Sequence, residues 1–374
     1  MQATDTPAPP SQAASLADWL RLTLTPGVGR NSAARLLDHF TTPGAIFQAP
    51  LEALAAIVPR ARAQLLCRAP DPAVAAAIAH ALAWAGRPGQ HVLARDDPRY
   101  PPLLGQIADP PALLYVVGEP AWLQGPALAM VGSRNASAQG VANARAFAQA
   151  LSAAGITIVS GLALGIDAAA HQGGLDGPGS TVAVIGTGAD RIYPARNGVL
   201  ARRIAAEGCI VSEYALGTPP QPANFPRRNR LISGLCCGVL VVEAAARSGS
   251  LITAHLAAEQ GREVFAIPGS IHAPLAKGCH KLIKEGARLV ESAADLFEEL
   301  RLSPLCLAGG EGGAGAPVEH PALLAALGQD PVDADVLAER TGMAAATLSS
   351  QLLTLELAGQ VERLPGGLFQ RIYR

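Results

Sequence analysis

Between residue 127 and about residue 300 the chain changes period, and that change restricts the fold more than any other feature. Short, wholly apolar runs alternate there with stretches of helical spacing. Strands are expected at 127–131, 157–160, 181–185, 209–212, 238–242, 263–267 and 288–290. Helices are expected between them at 138–154, 166–173, 197–207, around Leu231, at 251–260 and at 278–285. Apolar strands that are buried on both faces and joined by crossover helices form a parallel sheet. The expected fold class is therefore α/β, with a doubly wound, mostly parallel sheet.

The flanks have other patterns. Residues 1–15 lack the basic and apolar regions of a signal peptide and are expected to be without structure. Residues 16–85 carry apolar spacings of three and four. They include Pro26-Gly27-Val28-Gly29, which resembles the turn of a helix-hairpin-helix, with a degenerate copy at Val58-Pro59-Arg60. Such glycines let backbone N–H groups approach a phosphate, or serve only the turn of a helical hairpin. Residues 86–126 read as a Pro-rich connector, with a strand at 113–117. The domain containing the sheet is expected over 127–302, a Gly-rich linker over 303–320, and three helices with a short hairpin, a winged helix, over 321–374.

Composition limits the chemistry. The six cysteines contain no C-x-x-C pair and no metal-ligand rhythm with the eight histidines, so no metal is expected and a reducing cytoplasm fits. No apolar window is long enough to span a membrane.

In an open parallel sheet, ligands bind beyond the carboxyl ends of the strands. The loops expected there are Gly132-Ser133-Arg134, Ser160-Gly161 through Asp167, Gly186 through Arg191 and Pro194, and Arg247-Ser248-Gly249-Ser250. Small residues and hydroxyls at helix N-termini make anion sites. Turn glycines explain any one such loop; an anion site explains the row, and Ser133, Arg134, Gly161, Arg191 and Ser250 are its candidates. The densest basic stretch, Phe225-Pro226-Arg227-Arg228-Asn229-Arg230, puts three arginines within four residues of a chain with formal net charge -1. Three guanidinium groups buried without carboxylates would be very costly. The cluster is therefore expected on a loop or first helical turn, facing solvent or an anion. Lys277, Lys281 and Lys284 share one helix face and extend the basic surface.

The pattern excludes familiar nucleotide sites. Neither G-x-G-x-x-G with its acidic partner nor G-x-x-x-x-G-K-[ST] is present. Phe225 beside Arg227 instead pairs a ring with cations, as single-strand binders do, although the ring is equally explained as a core anchor. Ser160, Asp167 and His171 read as capping and packing groups rather than a catalytic triad. Glu243 reads as a buried partner for an arginine.

Together these motifs, with Val241-Val242-Glu243-Ala244, Ser248 through Ala254 and Val264 through Gly269, resemble the DNA-processing protein A (DprA/Smf) family over about residues 16–300. The resemblance implies an extended Rossmann-like domain that binds single-stranded DNA without a cofactor and without catalysis. It implies a cytoplasmic homodimer that protects incoming strands in natural transformation and loads the RecA recombinase. Carried over by motif, Arg134, Phe225, Arg227, Arg228, Asn229, Arg230 and the Lys277–Lys281 region are its DNA contacts. His280 stands where the family favours Asn, and Cys236 where Ser is usual.

Residues 301–374 carry five Lys/Arg against eight Asp/Glu, and the expected recognition helix at 344–357 has no basic residue. DNA-reading helices need Arg or Lys, so this winged helix is expected to contact protein or to regulate. That charge argues against a transcription regulator. The remaining alternative is a Rossmann-like nucleotide hydrolase or transferase with Glu243 as its carboxylate.

Overall fold

The computed structural model describes residues 12–300, 320–328, 330–357, 360–364 and 366–372. The linker expected at 303–320 lies almost wholly outside the described residues. Among the described residues the strands are β1 (Gln90–Ala94), β2 (Leu113–Gly118), β3 (Ala127–Val131), β4 (Thr157–Ser160), β5 (Thr181–Val184), β6 (Cys209–Ser212), β7 (Gly238–Val241), β8 (Glu263–Ala266), β9 (Arg288–Leu289), β10 (Val332–Asp333), β11 (Val361–Arg363) and β12 (Leu368–Arg371). The chain divides into two compact units, Met1–Gly125 with Val182–Leu235, and Pro126–Thr181 with Cys236–Arg374.

In the first unit, helices Gln12–Leu24 and Arg30–Phe40 flank the Gly27 turn, where φ is +76°. Helices Leu51–Ala55 and Arg60–Cys67 flank the second, degenerate turn. Helix Gln12–Leu24 begins inside the stretch expected to lack structure. Trp19, Leu36, Leu54, Leu66 and Trp84 form one apolar core with Leu113 and Tyr115 of β2. The connector is more regular than its proline content suggests: β1 pairs antiparallel with β2 in the register Val92↔Tyr115, and Pro102–Gly105 is a short helix. β2 runs antiparallel to β6, which is parallel to β5.

The second unit contains the parallel strands β4-β3-β7-β8-β9. Alternate residues of these strands point to opposite faces. On one face Leu128, Met130, Leu240 and Phe265 pack with Phe147 and Leu151 of helix Ala138–Ala153 and Ile166 of helix Ile166–Leu175. Helix Ser250–Glu259 packs on β7 and β8, and its buried Leu251, Ala254 and Ala257 lie outside that cluster, so helices cover both faces. This is the Rossmann-like α/β fold expected. Helices Pro321–Leu327, Ala334–Thr341 and Ala345–Leu357, with the antiparallel β10-β12-β11 sheet, enclose Leu323, Leu337, Leu348 and Leu355 as a winged helix. No helix among the described residues is long and apolar enough to cross a membrane.

Candidate nucleic-acid interface

The basic stretch is helical rather than a loop: helix Asn224–Gly234 includes all of it. At 100° per residue Arg227 and Arg228 point apart, whereas Arg227 and Arg230, three residues apart, are neighbours on the helix surface. Arg227 is exposed and Asn229 half-buried, whereas Arg228 and Arg230 are only 5% and 6% exposed. The expectation that all three face solvent or an anion fails for these two. Arg228 donates to the carbonyl of Val184 at the end of β5. Arg230 pairs with Glu213, and its Nε lies 3.0 Å from Asp109. Arg30, at the start of the helix after the Gly27 turn, lies 3.3 Å from Asp109 and 3.9 Å from Glu213. The carboxylates therefore exist, but on distant segments. Burial pushes the Glu213 carboxyl above its ordinary range, against the pull of Arg230 and Arg30. Arg228 and Arg230 thus hold the first unit together.

Along this stretch the helix exposes Pro226 and Arg227 and leaves Phe225 half-buried beside them. The Phe225 ring packs over Gly186, where an added Cβ would come within 3.1 Å of it, and Asn224 Nδ2 donates to the Gly186 carbonyl at 3.1 Å. Phe225 also lies 5.6 Å from the ring of Tyr193, which is 47% exposed. Arg191, two residues before Tyr193, is exposed. An aromatic pair flanked by Arg191 and Arg227 is suited to stacking bases between cations. Tyr193 was missed; its only local signal was an aromatic residue beside Arg191 in a proline-bounded loop.

In the second unit the loop after β3 carries Ser133 and Arg134. Ser133 N donates to the Glu243 carbonyl at 2.8 Å, and Ile166 N donates to the Ser133 carbonyl at 3.1 Å. Gly165 approaches so closely that a Cβ there would fall 2.3 Å from the Ser133 carbonyl oxygen, and its φ of +75° also favours glycine. Arg134 is exposed on this braced loop, with no ion pair or hydrogen bond among the described residues. Gly161 and Ser250 are buried instead. Gly161 N donates to Asp167 Oδ2 at 3.1 Å, and the Ser250 hydroxyl shares a hydrogen bond with Ser248 at 2.7 Å. Their polar groups are thus engaged within the fold. Lys277 and Lys281 are exposed on helix Lys277–Lys284; Lys277 Nζ donates to the Ile271 carbonyl, and Lys281 Nζ lies 3.7 Å from Glu285.

Ser160, Asp167 and His171 form no triad. Ser160 Oγ donates to the Met130 carbonyl at 2.6 Å, and Asp167 also accepts from Ala163 N. His171 Nε2 accepts from Leu162 N at 3.2 Å. Thr181 Oγ1 donates to the Ile158 carbonyl, so its contact with His171 Nδ1 at 2.7 Å makes Nδ1 the donor and the ring neutral. All three groups brace the loop after β4.

Glu243, expected to meet an arginine, instead accepts from Ser137 N at 3.0 Å and from Ser137 Oγ at 2.5 Å. Ser137 is the N-cap of helix Ala138–Ala153, and its Oγ accepts from Gly140 N at 3.0 Å. Burial pushes the Glu243 carboxyl up, its bonds to Ser137 pull it down, and nearby Glu362 raises it. A Cβ on Gly140 would lie 2.3 Å from the Glu243 carboxyl carbon. Gly140→Ala is expected to displace that carboxylate and destabilise the protein by about 1 kcal/mol, read as a lowered Tm.

A family model described as DNA recombination-mediator protein A matches residues 91–301, and one described as DprA winged helix domain matches residues 313–367. The chain belongs to this DprA family. Among curated relatives of the family, Protein Smf of Escherichia coli is 44% identical over 298 residues, covering 78% of this chain and 80% of that protein. DNA processing protein DprA of Streptococcus pneumoniae is 50% identical over 203 residues, covering 54% and 72%. The X-ray structure of the pneumococcal protein superposes with a TM-score of 0.67 at 38% identity, over 76% of this chain and 97% of that one. DprA of Helicobacter pylori, solved to explain its single-stranded DNA binding mode, gives a TM-score of 0.51 at 30% identity, over 54% and 92%.

Proposed function

We propose that this chain binds single-stranded DNA as a recombination mediator and carries out no chemistry of its own on the strand. The observation that carries this reading is Arg134, exposed on a loop held by Glu243, Gly165 and Ile166. The single-strand binding of the Helicobacter relative and the aromatic pair between Arg191 and Arg227 support it. On this reading Ser133, Arg134, Arg191, Phe225, Arg227, Asn229, Lys277 and Lys281 touch the strand, whereas Arg228 and Arg230 support it from within. The finer role is the one the family resemblance implies: a cytoplasmic homodimer that receives strands in natural transformation, protects them and loads RecA. Glu243 is a poor hydrolytic carboxylate, because both its oxygens are held by Ser137.

Titration with single-stranded oligonucleotides of increasing length, a duplex of equal length and a mononucleotide tests this. Affinity is expected to rise with single-strand length, to fall steeply with salt and to be weak for the mononucleotide. Mononucleotide binding as tight as that of a 20-mer, with turnover lost in Glu243→Gln, would favour the nucleotide enzyme instead.

A further inference from the structure

The amino end of helix Ala138–Ala153 is already occupied by an acidic group, and that group comes from the winged helix. Ala138 N, the first N–H of this 16-residue helix, donates to Glu362 Oε2 at 2.8 Å. Glu362 lies on β11, in the hairpin that β11 forms with β12, and is 224 residues distant in sequence. The neighbouring N–H, from Ser137, is taken by Glu243 at 3.0 Å. Two carboxylates therefore share one helix start, and the charge of Glu362 is one of the influences that raise the Glu243 carboxyl.

Such a pairing costs energy unless the site has a strong demand for negative charge. The demand is visible: the first N–H groups of a helix have no acceptor in its own backbone, and together with the helix dipole they favour an anion there; exposed Arg134 lies three residues before the N-cap. A carboxylate oxygen on a helix N–H takes the position that a phosphate oxygen takes at such termini. The winged helix is also acidic, with six Asp/Glu against four Lys/Arg over residues 321–374. A domain with that balance repels a nucleic acid backbone and suits a basic, phosphate-seeking surface.

We propose that the winged helix is a tethered competitor of the strand, with Glu362 seated on Ala138 N where a backbone phosphate would bind. A single strand entering beside Arg134 must displace the β11–β12 hairpin, so binding releases the winged helix. This rests on the single-strand reading above and adds a regulatory contact to it.

The test uses the full chain and two measurements. Fluorescence anisotropy with a labelled oligo-dT compares wild type, Glu362→Ala and Glu339→Ala, the last removing an exposed acid elsewhere on the winged helix. Amide hydrogen exchange across residues 137–140, without DNA, compares wild type with Glu362→Ala. Glu362→Ala is expected to bind about two- to tenfold tighter and to exchange faster at Ala138, with Glu339→Ala matching wild type. Equal affinity and equal exchange in Glu362→Ala and wild type would overturn the competitor while leaving strand binding intact. Equal tightening by Glu339→Ala would reduce the effect to general charge and overturn it too. Failure of every variant, wild type included, to bind the oligonucleotide would overturn the single-strand reading and the competitor with it.

Discussion

Arg230→Ala is expected to cost on the order of 3 kcal/mol of stability and to lower Tm and the denaturant midpoint together. The side chains of Arg230 and Glu213 are 7% and 6% exposed, so removing the guanidinium strands a buried carboxylate. Asp109, at 41%, can turn to water, and Arg30, 3.9 Å from Glu213, is too far to replace the lost bond. Against a typical total of about 5–15 kcal/mol that is a large loss. It should also depend on pH in a defined sense. Burial already raises the Glu213 carboxyl, and without Arg230 nothing as close opposes it. A carboxyl with a folded pKa above its unfolded value favours the folded state below that unfolded value, and loses this contribution as pH rises through the folded pKa. The deficit relative to wild type should therefore be larger at pH 8 than at pH 5. Equal deficits at the two values would mean that Glu213 is not the group left exposed to the loss. Any weakening of DNA binding in this variant should follow its unfolded fraction.

The sheet was readable because strands buried on both faces announce themselves as short apolar runs, and crossover helices must separate them. β3, β4 and β6 fall where the period places them, and the helices between them differ by a residue or two at their ends. The loop after β3 stood out in sequence only as small residues suited to an anion; that Gly165 braces it by contact with Ser133 appears only in the fold. The arginine cluster misled because a sequence displays charge without displaying its partner. Glu213 and Asp109 reach Arg230 only after folding, and one helical turn sends Arg227 outward while it sends Arg228 to the Val184 carbonyl. Glu362 was hidden still more completely, since a single acid in a strand of a winged helix looks like any solvated residue. The acidic balance of that domain pointed to a role other than reading DNA, without identifying the amide it would meet.

Arg134→Glu is expected to weaken single-strand binding by about a hundredfold at low salt. A charge-assisted hydrogen bond to phosphate contributes about 1.5–3 kcal/mol, and reversal adds repulsion from the adjoining phosphates. The loop itself should be unaffected, because its bracing uses the backbone of Ser133, Glu243 and Ile166 rather than the arginine side chain. Tm should stay at the wild-type value, which separates this variant from Arg230→Ala. Losing one phosphate contact should also make the slope of log affinity against log salt shallower by about 0.7, so that the two proteins converge as salt rises. Arg202→Glu, an exposed reversal on helix Gly198–Glu207, controls for net charge and should bind within about twofold of wild type. If Arg134→Glu and Arg202→Glu lose affinity equally, the braced loop is no more than one part of a general basic field. If Arg134→Glu alone loses it, with the salt slope reduced, the loop after β3 is where the chain grips the backbone of the strand.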